Sequence, residues 1–142
     1  MGATRASKPI AEKWGDRILS AGWVLLPLAL VDGQRELDLD AIDLTLLLHL
    51  VRFWWERDNL PHPSKERLAK AMGLQPRSVQ RRLARLEKLR LIKRHMRRDP
   101  ATGRNMTSAY SFEGLIARGE QIADGLVATR EARRLEREEV DE

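Results

Sequence analysis

The side chains in this 142-residue chain best suited to chemistry are the cations recurring between Arg77 and Lys88. At about 100° per residue, Arg77, Arg81, Arg85 and Lys88 fall on one helical side, with Ala84 in its middle and Ser78 and Gln80 at its edges. Guanidinium and ammonium groups neutralise phosphates, while arginine, glutamine and serine also offer the donors and acceptors that read base edges. Ala84 lets such a helix approach a surface closely. The chemistry expected is recognition, not bond making.

Charge placement supports this. An ordinary solvated helix face interleaves both signs. From Pro61 to Phe112 there are instead 14 Lys/Arg against 3 Asp/Glu, a net of +11, whereas the rest of the chain carries 12 against 18, a net of −6. The overall +5 therefore conceals a basic module beside an acidic remainder, as a nucleic-acid footprint requires.

The elements that must position these cations can be read around them. Ser64 caps a first short helix, on which Leu68, Ala69 and Met72 line one side, and Gly73 stops it in the left-handed conformation. Leu74 pins the turn, and Pro76 opens a second helix on which Val79, Leu83 and Leu86 make the apolar stripe. The spacing over residues 64–88 is that of a helix-turn-helix. Leu91 to Arg97 then reads as a strand, Arg98 to Asn105 as a polar tip and Thr107 to Phe112 as the returning strand. Ile92, Tyr110 and Phe112 would face the helices, leaving Lys93, Arg97, Arg98 and Arg104 for a phosphate backbone or minor groove.

The run Leu68-Ala69, Met72-Gly73-Leu74, Arg77-Ser78-Val79, Arg82-Leu83, Leu86-Glu87, Leu91-Ile92, followed by a basic strand, a Gly-containing tip and Tyr110, resembles the winged helix-turn-helix DNA-binding domains of bacterial regulators and of phage and plasmid replication proteins. The resemblance covers about fifty residues well. It implies that residues 77–88 are the recognition helix and 98–105 the wing. Where the family commonly has glycine before the Leu-Ile pair this chain has Arg90, which implies a less sharp exit from the recognition helix.

The remaining chain frames this module. Residues 1–16 read as a mobile segment, Trp14 excepted. Residues 18–31 are apolar but interrupted by Gly22 and Pro27; they are too short for a membrane span, and read as an arm or strand that packs on the core or crosses to a partner. Leu39 to Asp58 is the strongest helix, capped by Asp40 with Asp43 in its first turn. Its apolar arc is wider than one helix on one module requires, so either the arm covers the second side or Leu47, Val51 and Trp55 form a dimer interface. Residues 115–129 carry a helical stripe weakened by Gly119 and Gly125, and the charged tail 130–142, with 4 arginines and 6 acids, reads as a solvated helical end that frays.

The fold class expected is mainly α with a small β-hairpin: a winged helix-turn-helix over residues 17–129 (helix-turn-helix 64–88, wing hairpin 91–112, C-terminal helix 115–129) with an extra N-terminal arm. No phosphate loop, nucleophile elbow or paired His/carboxylate motif is present, so an enzyme is not expected. His49, His62 and His95 lack ligand spacing and cysteine is absent, so neither a metal nor another cofactor is expected. An aromatic group such as Trp23, Phe53, Trp54 and Trp55 is more often core than an effector site, and any effector stays open.

The function expected is sequence-specific binding of double-stranded DNA by a cytoplasmic, nucleoid-associated homodimer, as a transcriptional regulator. Arg77, Ser78, Gln80 and Arg81 would read bases; Lys65, Arg85, Lys88, Lys93, Arg97, Arg98 and Arg104 would hold the backbone. Two alternatives remain open: the DNA-binding module of a phage or plasmid replication initiator, and a winged-helix protein-interaction module without DNA.

Overall fold

The computed structural model describes residues 7–142. Residues 1–6, part of the segment expected to be mobile, lie outside the described residues. The elements run α1 (Lys8–Trp14), α2 (Asp16–Leu19), α3 (Leu28–Asp32), α4 (Ala41–Val51), α5 (Lys65–Met72), α6 (Pro76–Lys88), β1 (Lys93–Arg98), β2 (Asn105–Ser111) and α7 (Glu113–Asp141).

Helix boundaries follow local chemistry. The Asp40 carboxylate accepts from the Asp43 amide at 2.8 Å while Asp43 accepts from the Asp40 amide at 3.0 Å, a reciprocal cap that starts α4. Ser64 accepts from the Arg67 amide at 3.0 Å and starts α5, and Gly73, at φ 67°, ends it as the Leu74 amide donates to the Ala69 carbonyl at 2.9 Å. Arg90 ends α6 in the same way. At φ 60° it is left-handed, its amide donates to Glu87 at 2.9 Å, and Leu91 donates to Leu86 at 3.1 Å. The less sharp exit expected from Arg90 is therefore corrected: the chain makes the turn that glycine would make, without glycine's conformational ease.

The core sits where α4, α5, α6 and the hairpin meet. Leu46, Leu47, Leu50, Leu68, Val79, Leu86 and Phe112 are buried there. The strands pair antiparallel, Lys93 with Ser111 and Arg98 with Asn105, and a register shift between His95 and Arg97 leaves one extra residue on β2. The Pro61 carbonyl accepts from the Tyr110 amide at 3.0 Å, so the approach to α5 covers the outer edge of β2.

Three expectations change at the periphery. The helix expected to reach Asp58 stops at Val51. Its last amides tighten to i→i−3 bonds, and the rings beyond dock elsewhere: Trp54 lies 5.0 Å from Phe112, and Phe53 lies beneath the guanidiniums of Arg52 and Arg67. Among the described residues the N-terminal stretch holds no strand but three short helices, and α1, within the segment expected to be mobile, is helical while burying nothing. The arm is fastened by α3, where Leu30 is buried against Gly119 of α7 and Gly33 lies against Ile122. Gly119, read above only as weakening its helix, provides the close approach.

The last helix does not end near residue 129. It continues to Asp141, with Arg134 donating to Glu131 at 2.6 Å and to Glu138 at 2.7 Å. Ion pairs at i,i+3 and i,i+4 support a helix that has no apolar stripe to bury. The charged stretch is therefore solvated and helical. No described helix is long and apolar enough to cross a membrane.

Candidate nucleic-acid interface

Helix α6 turns Val79, Leu83 and Leu86 inward and leaves Arg77, Gln80, Arg81, Ala84 and Lys88 exposed, as the periodicity required. Ser78 is half-buried at its edge. Among the described residues no carboxylate pairs with Arg77, Arg81 or Lys88. These three cations are thus free to meet an anionic partner.

The opposite flank of the same helix behaves differently. Asp43, wholly buried, accepts from Arg85 at 2.6 Å and from Arg82 at 3.3 Å. Arg82 also pairs with Asp40, and Arg85 donates to the Asp38 carbonyl at 2.7 Å. With the Asp40 amide, the Asp43 carboxylate is fully bonded, which a buried charge requires. Its own amide, donating to Asp40, together with nearby Arg82, holds the Asp40 carboxyl below its usual range, while the bond to Asp40 pushes Arg82 up.

The guanidinium of Arg85, expected to contact the DNA backbone, is occupied within the chain by Asp43 and Asp38. Arg82, absent from the expected contacts, is its companion. The signal was present as Asp38, Asp40 and Asp43 around the start of one helix and two arginines three apart on another. Nothing in the sequence said that these two helix faces meet.

On the hairpin, Lys93, Arg94, Arg98 and Arg104 are exposed and Arg97 is half-buried, turned toward the Thr107 carbonyl at 3.3 Å. The acid of the tip, Asp99, is occupied in the turn by the Ala101 amide at 2.9 Å and the Thr102 hydroxyl at 3.2 Å. His95 lies 2.9 Å from the Ser111 hydroxyl. Lys65 stands half-buried at the start of α5.

The expected dimer patch does not hold together. Leu47 is 0 % exposed, because the core of its own chain covers it, and Val51 is half-buried against that core. Only Trp55, 48 % exposed, is open. Exposed apolar side chains gather instead on the arm, at Trp14, Ile18, Leu25, Leu28 and Val31, and on α7, at Ile116 and Val127. The exposed side chains of the arm lie on the stretch that the sequence left free either to pack on the core or to cross to a partner. Among the described residues no group of His, Cys, Asp or Glu is arranged to hold a metal ion.

Residues 37–92 match the family model described as a helix-turn-helix domain. With the hairpin after α6, this is a winged helix-turn-helix. The winged domain is similar over 93 % of this chain and 99 % of the other to the N-terminal domain of the DnaD protein from Geobacillus kaustophilus, at 24 % identity and a TM-score of 0.55. It also aligns with a possible transcriptional regulator from Methanosarcina mazei (20 % identity, 73 % of this chain and 82 % of the other, TM-score 0.43). A third alignment is with MepR from S. aureus in complex with DNA (19 %, 88 % and 94 %, 0.43). No curated protein matches the chain.

Proposed function

We propose that this chain binds double-stranded DNA sequence-specifically and acts as a transcriptional regulator, with α6 in the major groove and the wing, 98–105, on the backbone or in the minor groove. The observation that carries this reading is the cation set Arg77, Arg81 and Lys88, unpaired and exposed on a helix whose other side is locked into the core. Arg77, Ser78, Gln80 and Arg81 read base edges; Lys65, Lys88, Lys93, Arg97, Arg98 and Arg104 hold phosphates. Arg85 serves the fold instead. The matched family and this fold point to a binding module, not an enzyme.

The functional unit is a homodimer. The exposed apolar side chains of the arm and of α7 supply the surface a second copy needs, and two-fold symmetry places two α6 helices in successive major grooves. A second reading, the DNA-binding module of a replication initiator, uses the same surface. What favours keeping it is that the likeness to the DnaD domain extends over the arm and α7 as well.

Selection from a randomised duplex pool, repeated at two salt concentrations, tests the proposal. The expected result is an enriched gapped palindrome whose affinity falls steeply with salt, by about 0.9 in log–log slope per phosphate neutralised. Enriched sites recurring as an array at an origin would favour the initiator. An unenriched pool with no binding at physiological salt would overturn both, leaving the protein-interaction reading.

A further inference from the structure

The wing carries a feature that phosphate binding leaves unused. Met96, in the middle of β1, is 69 % exposed, although its neighbours on the same face, toward the base of the hairpin, lead to the buried Tyr110 and Phe112. It lies where that face has run past the core. Alternation along the strand puts Arg94 and Arg98 on its face, one on either side. Opposite it the extra residue of β2 interrupts the ladder at Thr107 and Ser108, which bends the distal hairpin and leaves Met96 without a regular cross-strand neighbour.

We propose that Met96 is a wedge that enters the minor groove of duplex DNA and partly unstacks a base step, so that this protein bends its site as well as binding it. Three properties converge on this. The side chain is unbranched, flexible and apolar, of the kind that slides between bases. The flanking guanidiniums of Arg94 and Arg98 are attracted to the negative potential of a narrow groove and would carry it there. Asp99, the acid of the wing, is tied into its own turn and is outnumbered there by the cations Arg97, Arg98 and Arg104. Met106 is the weaker candidate, since it is 44 % exposed and stands opposite Arg97, which is turned back onto Thr107. Flexible pyrimidine–purine steps are the cheapest to open, so TA or CA steps belong under the wing even where no side chain reads them.

The inference rests on the DNA-binding reading, and its test separates the two. End-labelled duplexes carrying a site enriched by selection, with 2-aminopurine at the step under the wing, report affinity, end-to-end distance and unstacking in one titration. The wild type is expected to shorten the end-to-end distance, by a bend of about 20–90°, and to brighten the 2-aminopurine. Met96→Ser, at a largely exposed position with little packing to lose, is expected to abolish both signals. Its affinity should fall only a few fold and its salt slope should not change, because no charge is removed. Met106→Ser should retain both signals. A wild type that binds but neither bends nor unstacks the duplex would overturn the wedge and leave DNA binding standing. Loss of the signals in Met106→Ser and not in Met96→Ser would overturn the assignment to Met96. A wild type that binds no duplex would overturn both.

Discussion

The two flanks of α6 carry the same kind of residue with opposite fates. Arg82 and Arg85 face the start of α4 and are held by Asp38, Asp40 and Asp43, whereas Arg77 and Arg81 face solvent and pair with no carboxylate among the described residues. An arginine on a recognition helix therefore counts toward a DNA footprint only after its intramolecular acids have been subtracted. The tied flank fixes the rotation of the helix about its axis, and that rotation decides which side chains the free flank presents.

The strongest way to break this contrast is to remove the acid at its centre. Asp43→Ala takes the buried acid from two guanidiniums that stay partly exposed and keep Asp40 and Asp38 as partners, so the lost charge-assisted bonds should cost about 1–3 kcal/mol. Urea denaturation should show this as a lower midpoint with little change in slope. A loss below about 1 kcal/mol would mean that water or the exposed Asp38 takes over, and that the cluster does not hold the helix.

The next test sets the flanks against each other. Arg81→Ala is expected to leave stability within about 0.5 kcal/mol and to relax discrimination at one base pair by about 1–3 kcal/mol. Arg85→Ala is expected to do the reverse, lowering the denaturation midpoint without selectively relaxing any base pair. If both variants lose discrimination at a base pair and neither loses stability, the division between free and tied arginines is wrong.

How much of this was legible in the sequence follows from the range of the forces involved. The Ser64 and Asp40 caps, the Gly73 stop, the stripe Val79, Leu83 and Leu86 and the turn around Gly103 are set by residues a few positions apart, and the structure has them where the sequence placed them. The tied state of Arg85, by contrast, depends on partners 42 and 47 residues away. The burial of Leu47 and the early end of α4 likewise depend on which rings find neighbours: Trp54 turns to Phe112, and no periodicity encodes that choice. The tail beyond residue 129 was legible as a solvated helical end, but its reach to Asp141 was not: that half of α7 is held by pairs such as Arg134 with Glu138 and not by an apolar stripe, so hydrophobic spacing set no end for it.

A smaller effect is expected at the exit of α6, which sets how the tied and free flanks are delivered to the wing. Arg90 holds φ 60° with a side chain that disfavours it. Arg90→Gly should therefore stabilise the chain by about 1 kcal/mol, seen as a raised denaturation midpoint, with DNA discrimination unchanged. The neighbouring Gly114 is the counter-case: a Cβ there would lie 1.7 Å from the Arg90 carbonyl oxygen, so Gly114→Ala should separate α7 from this turn and lower the midpoint.

The smallest effect is electrostatic and has a definite sign. Asp40 titrates below its usual 3.8, first because the Asp43 amide donates to it and then because Arg82 is beside it. A carboxyl whose folded pKa is depressed binds its proton more readily in the unfolded chain, so its contribution is present above the unfolded value and is lost as pH falls through the folded one. His49, lowered from 6.5 by burial and by Arg52, acts in the same direction but begins to do so at higher pH. Stability should therefore decline in two windows on acidification, the first below about 6.5 from His49 and the second below about 3.8 from Asp40. Asp40→Asn isolates the second. Its midpoint in urea should be lower than that of the wild type at pH 7, and the gap should narrow as pH falls below about 3.8. A gap that stays constant across that window would show that Asp40 holds Arg82 through hydrogen-bond geometry and not through charge, and the tied flank would then owe its charge neutralisation to the buried Asp43.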